Sequence, residues 1–109
     1  MRGELLKGHL DFLIFATLEP DPPHGYLIIE ELRRRSGGAF NLPEGTVYPA
    51  LHRLERAGLL ASRWSNSEHA GRRRRVYRLT RRGQRALDQH RQEWSTFSRA
   101  LDATLEPIQ

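Results

Sequence analysis

Apolar residues recur at helical spacing from Leu5 to Leu18. Leu6, Leu10, Leu13 and Thr17 form one line, and Phe12, Ile14, Phe15, Ala16 and Leu18 add apolar area on further faces. The pattern predicts a first helix over 5–18 that is mostly buried. Pro20, Pro22 and Pro23 end it, because a proline nitrogen has no proton for the helical ladder and the residue before each ring is driven out of the helical region. A second helix is expected from His24 to Arg35, with Gly25, Ile28, Ile29 and Leu32 inward and Glu30, Glu31, Arg33 and Arg34 in water. Ser36, Gly37 and Gly38 stop it. A third helix fits Thr46 to Ala57, with Val47, Ala50, Leu51 and Leu54 as its core stripe and Gly58 as its C-terminal stop. Pro49 is compatible with that helix if Thr46 is the N-cap, since an early helical residue loses no intrahelical N–H bond; the start then lies no more than a turn before Thr46.

Leu59 to Trp64 and Arg73 to Leu79 read as two short strands around a turn-forming stretch, residues 65–72. The result is a hairpin with a long, basic-edged tip, Tyr77 and Leu79 on one face and Arg74, Val76 and Arg78 on the other. Two strands are barely stable alone, so the hairpin must lean on the helices. From Thr80, its expected cap, the chain reads as one long helix to about Leu105, before Pro107. Leu87, His90, Trp94, Phe97 and Leu101 are spaced 3, 4, 3 and 4, the narrow seam of a helix packing on a helix. The other apolar faces are already committed to the chain's own core. That seam is expected to pair with the first helix and with a second copy of the chain.

The predicted fold class is mainly α with a small β-hairpin: a winged helix-turn-helix plus a C-terminal dimerisation helix. A chain of 109 residues holds one core, so residues 1–80 (the winged helix-turn-helix) and 81–109 (the dimerisation helix) are expected to share one compact domain. The net charge is +5, and Lys7 is the one lysine among 18 cations. Residues 33–85 carry 14 arginines against Glu44, Glu55 and Glu68, a net +11, while the remainder is at −6. Such segregation points to a polyanion, and arginine suits phosphate and guanine. There is no cysteine to form disulfides or thiolate metal sites. The longest mostly apolar run, Leu10 to Leu18, is too short to cross a bilayer, and the N-terminus lacks the layout of a signal peptide. A cytoplasmic protein with no membrane partner is expected. His9, His24, His52, His69 and His90 show no metal-ligand spacing, and no phosphate loop, GxSxG elbow or carboxylate pair is present. No metal, cofactor or catalytic residue is therefore expected, and the chain does not read as an enzyme.

The stretches LLKGHLDFLIFATL, HGYLIIEELRR, LPEGTVYPALHRLERAGLL and RRRRVYRLTRRG together resemble the PadR family of bacterial transcriptional regulators, over about residues 5–87. GTVYPALHRLE followed by GLL and a YxLTxxG segment is the specific part, and the single short C-terminal helix resembles the compact branch of that family. The resemblance implies that the third helix is the recognition helix, with Thr46, Tyr48, Pro49, His52 and Arg53 facing DNA. The periodicity agrees, since these positions fall off the Val47, Leu51 and Leu54 stripe. Thr46 and Tyr48 are then placed to donate to phosphates, Arg53 to a base or phosphate one turn deeper, and Arg72, Arg73, Arg74 and Arg75 to the backbone or minor groove. Arg33, Arg34 and Arg35 read as solvated residues complementing a helix dipole. The resemblance further implies a homodimeric repressor on a palindromic operator of double-stranded DNA. In multidrug-binding relatives a planar aromatic effector stacks between tryptophans of the paired C-terminal helices, and Trp94 lies on a comparable seam. The bland readings are a solvated arginine run and a Trp94–Phe97 pair that is plain core. Two alternatives stay open: a non-specific architectural DNA binder, and a ligand- or protein-binding helical dimer with no DNA role.

Overall fold

The computed structural model describes residue 6 and residues 8–19, 25–69 and 72–108. Among the described residues, helical Leu6 is followed by three helices, α1 (Leu10–Thr17), α2 (Gly25–Arg35) and α3 (Glu44–Arg56). A two-stranded antiparallel sheet follows, β1 (Leu60–His69) with β2 (Arg72–Leu79), and then one long helix, α4 (Arg81–Leu105). The chain is thus mostly helical with a hairpin between the third and last helices, a winged-helix order. His24 and the three prolines expected to end the first helix lie outside the described residues.

The core gathers residues from every element: Ile14, Phe15 and Leu18 around α1, Ile28 and Leu32 of α2, Val47, Ala50, Leu51 and Leu54 of α3, Leu60 and Tyr77 of the hairpin, and Leu87 of α4. The α3 stripe is the one periodicity predicts, and all four of its residues are buried. At α1 the structure corrects the expected continuity of the first helix. Leu6 is helical, but Gly8 adopts φ +89° and the His9 N–H bonds the Leu6 carbonyl at 2.9 Å, so a turn interrupts the expected helix and its regular run begins at Leu10.

The start of α3 needs a second correction. Thr46 is not the N-cap; Pro43 is, in extended backbone (φ −78°, ψ 158°). Its carbonyl accepts from the Thr46 and Val47 N–H groups at 3.0 and 3.2 Å. Pro49 therefore stands in the second turn, where its missing N–H breaks the ladder to Gly45. Both residues are on the exposed side of the helix, which leaves the buried stripe to hold the helix through the break.

The hairpin is longer than the turn-forming residues suggest. Strand pairing runs from Leu60 with Leu79 to His69 with Arg72, and the register shifts between Trp64 and Glu68, where β1 carries two more residues than β2. The expected loop over 65–72 is thus mostly strand with a bulge, because ladder bonds come from the backbone and tolerate Ser, Asn and Arg side chains.

Turn geometry joins α3, the hairpin and α4. Gly58 (φ +78°) ends α3, and the Leu59 N–H returns to the Leu54 carbonyl at 3.0 Å. Thr80 caps α4 as expected, its hydroxyl oxygen accepting from the Gly83 N–H at 3.1 Å while donating to the Gly58 carbonyl at 2.7 Å. Gly83 packs against Leu59 so tightly that a Cβ would lie 2.1 Å from the Leu59 carbonyl oxygen. Beyond this joint α4 leaves the body of the molecule. Gly83 and Leu87 are its buried residues, while Trp94 is 48% exposed, Phe97 57% and Leu105 69%.

Candidate nucleic-acid interface

With its apolar stripe inward, α3 turns Thr46, Pro49, His52, Arg53 and Arg56 to the surface. Tyr48 is half-buried against the core. Burial pushes its phenol pKa up, the Glu44 carboxylate adds to the rise, and Arg74 of β2 acts in the opposite sense. The exposed face of α3 and the hairpin are neighbours, since Ser62 of β1 and Arg75 of β2 both reach Glu55 of α3. Of the residues expected there, the side chains of Arg72 and Arg73 lie outside the described residues, although both belong to β2.

Two of the expected arginines are engaged within the protein. The Arg53 guanidinium donates to both carboxylate oxygens of Asp11, at 2.7 and 3.3 Å, across from α3 to the first turn of α1. The hydrogen bonds to Asp11 hold the Arg53 pKa above its ordinary value. Arg75 turns towards the body of the protein. Its Nε donates to the Ser62 hydroxyl at 2.9 Å, a terminal nitrogen lies 3.8 Å from Glu55, and the guanidinium sits 5.0 Å from the Trp64 ring centre. Ser62 in turn donates to Glu55 at 2.6 Å. Glu55, Ser62 and Arg75 thus clamp the hairpin to the C-terminal half of α3. Sequence reading missed both Asp11 and this clamp. Its signal was limited to opposite charges far apart in the chain.

Arg35 is likewise not simply solvated. It donates to the carbonyls of Ala16 and Glu19 at 2.8 and 3.1 Å, satisfying the C-terminal end of α1. Arg34 pairs with Glu31, and with Arg35 it brings the Glu31 carboxyl down to about 2.

The α4 seam borders a second feature. Between α1 and α4 lies a cavity of about 600 Å³ lined by His9, Phe12, Leu13, His90, Trp94 and Phe97 among others. His90 stacks flat on Phe12 with ring centres 3.5 Å apart, and His9 meets Trp94 edge-on at 5.4 Å. Burial lowers the His90 pKa, and the neighbouring His9 lowers it further. At one flank Glu19 accepts from Arg91 at 2.7 Å and from Gln84, tying the end of α1 to α4. The Arg91 hydrogen bond lowers the Glu19 pKa against the opposing effect of burial. Leu87, which is buried, and Leu101, which is exposed, also line the cavity. Among the described residues no cluster of three metal-ligating side chains occurs, and no helix is long and apolar enough to cross a membrane.

Comparison with known proteins gives one consistent result. Residues 14–89 match the family described as transcriptional regulator PadR-like. The chain is 41% identical over 78 residues to the transcriptional regulator Rv3488 of Mycobacterium tuberculosis, an alignment covering 72% of this chain and 68% of that protein. Among solved structures, a PadR family transcription regulator from Clostridium difficile superposes with a TM-score of 0.78 at 36% identity, covering 91% of this chain and 100% of its own. A PadR family transcriptional regulator from Eggerthella lenta superposes with a TM-score of 0.79 at 31% identity, covering 96% and 88%.

Proposed function

The chain belongs to the transcriptional regulator PadR-like family, and from that premise we propose that it acts as a homodimeric repressor on a palindromic operator, released by a planar aromatic effector. Membership makes it a DNA-binding regulator; repression, the dimer and the effector are the proposal. The observation that carries the reading is the surface where the polar face of α3, with Thr46, Pro49, His52 and Arg53, meets the hairpin, joined to it through Glu55, Ser62 and Arg75. That surface lies in the segment of net charge +11. A helix presented this way fits the major groove, with the hairpin along the adjoining backbone. The wing then works through Arg72, Arg73 and Arg74, and Arg75 holds the wing in place.

The exposed aromatic and leucine side chains of α4 favour pairing with a second copy through Trp94, Phe97 and Leu101. In this reading residues 1–80 read DNA and residues 81–109 pair the protomers. The two recognition helices must sit about one DNA turn, roughly 34 Å, apart to engage both half-sites. The cavity beside Trp94 supports an effector that prefers a different spacing and so shifts the population away from the DNA-competent dimer.

Capture of genomic fragments by the purified protein, followed by titration of the best fragment against random duplex at fixed salt, tests the reading. One enriched palindrome with about a 10³-fold preference is the expected result. Equal affinity for every duplex would make the protein an architectural binder. Absence of salt-dependent binding would remove the DNA role and leave a helical dimer.

A further inference from the structure

Arg53 stands on the DNA-facing side of α3, yet the two terminal nitrogens of its guanidinium are both occupied by Asp11. Those two nitrogens form the forward edge with which an extended arginine grips a phosphate or the O6 and N7 of guanine. Asp11 is anchored elsewhere, in the first turn of α1, 42 residues away in the chain. Both side chains are accessible, 59% for Arg53 and 33% for Asp11, so the pair is reachable by a competing ligand. An exposed ion pair is weak enough to exchange. Once Arg53 leaves, a bare carboxylate remains close to the approaching phosphates.

Resting on the assignment of α3 as the DNA-reading helix, we infer that Asp11 is a specificity-determining residue that masks Arg53. A single phosphate offers Arg53 little more than Asp11 already gives, so contact with arbitrary sequence leaves the pair closed. A base edge that accepts both nitrogens, in register with the rest of the helix, offers more and opens it. Asp11 thereby lowers affinity for wrong sites more than for the right one, a repulsive element that widens the difference between them. Arg53 counts as a DNA contact at the operator and not on random DNA.

The test compares Asp11→Asn, Arg53→Ala and the double variant with the wild type on two probes: a random-sequence duplex and the genomic fragment that the wild type captures best. Asp11→Asn is expected to raise random-duplex affinity by about threefold to tenfold and to steepen the slope of log affinity against log salt by about one per protomer, as Arg53 becomes a phosphate contact. Affinity for the captured fragment rises less, so the specificity ratio falls. Arg53→Ala alone weakens the captured fragment at least about tenfold and random duplex by less, through the repulsion of the uncovered Asp11 carboxylate. In the double variant the random-duplex gain disappears. Asp11→Ser, which keeps a small polar group in the first turn of α1, gives the same readout by a second route, and thermal melts of each variant separate masking from loss of fold. Unchanged or weaker random-duplex binding by Asp11→Asn would overturn the mask, as would an equal gain on both probes. A wild type that binds neither duplex would instead sink the DNA reading on which the mask rests.

Discussion

α3 and α4 are both amphipathic, and they use their faces in opposite ways. α3 buries its whole apolar stripe in the core of its own protomer, leaving a polar and cationic face outside. α4 begins in the same manner at Gly83 and Leu87, but from Trp94 onward its apolar stripe is left over, exposed beyond the end of the core. A helix whose apolar face is satisfied acts through its polar face. A helix with surplus apolar surface acts by covering it, which under the proposed function is done by a second copy.

The contrast breaks most sharply under Trp94→Ala combined with Phe97→Ala. Each truncation is expected to cost about 3–5 kcal/mol of association where the ring is fully buried between copies. Sedimentation should show monomers whose circular dichroism is close to that of the wild type. Leu51→Ala makes the opposite cut. It removes a fully buried α3 side chain, so a loss of about 2–5 kcal/mol should appear in the folding stability of each protomer by urea denaturation. If the first variant unfolded the protomer and the second released intact monomers, the roles of the two stripes would be reversed.

On the polar side, Arg74→Ala should reduce the slope of log affinity against log salt by about one per protomer while leaving sequence preference intact. A change in preference without a change in slope would move Arg74 from the backbone to a base. The smallest effect concerns His90. Its folded pKa lies below 6.5, chiefly through burial, with His9 adding to the drop and Glu93 opposing it. The folded state therefore favours the neutral ring. Its contribution to stability is complete above 6.5 and is lost as pH falls through the folded value. A melting temperature that declines over that interval in the wild type, and less in His90→Phe, is the expected outcome.

The order of elements was legible because each rests on a local signal. The 3.6-residue stripe of α3, the Thr80 cap and the Gly58 stop all behave as their neighbours in sequence dictate. Helix starts were less legible. Gly8 turned the backbone into the left-handed region, and Pro43 took a capping role through its carbonyl without any side-chain donor or acceptor. The hairpin tip misled for a related reason, since residues with turn propensity still pair when a bulge absorbs the mismatch. Of the candidate site, the exposure of Thr46, Pro49, His52 and Arg53 was legible, while the half-burial of Tyr48 and the partners of the arginines were not. Arg53 with Asp11 and Arg75 with Glu55 are brought together by packing alone, and no local pattern encodes such meetings.

The joint at Gly83 sets the heading of α4. Its first turn lies against Leu59, immediately beyond the end of α3, and ties to the α1 region continue through Gln84, Arg91 and Trp94. The residues from Ser95 to Leu105 form a projecting arm of roughly 16 Å at about 1.5 Å of rise per residue, so a tilt of about 5° carries its far end through roughly 1.4 Å. A change in how α1 and α4 pack is thus enlarged at Leu105 by the length of that arm.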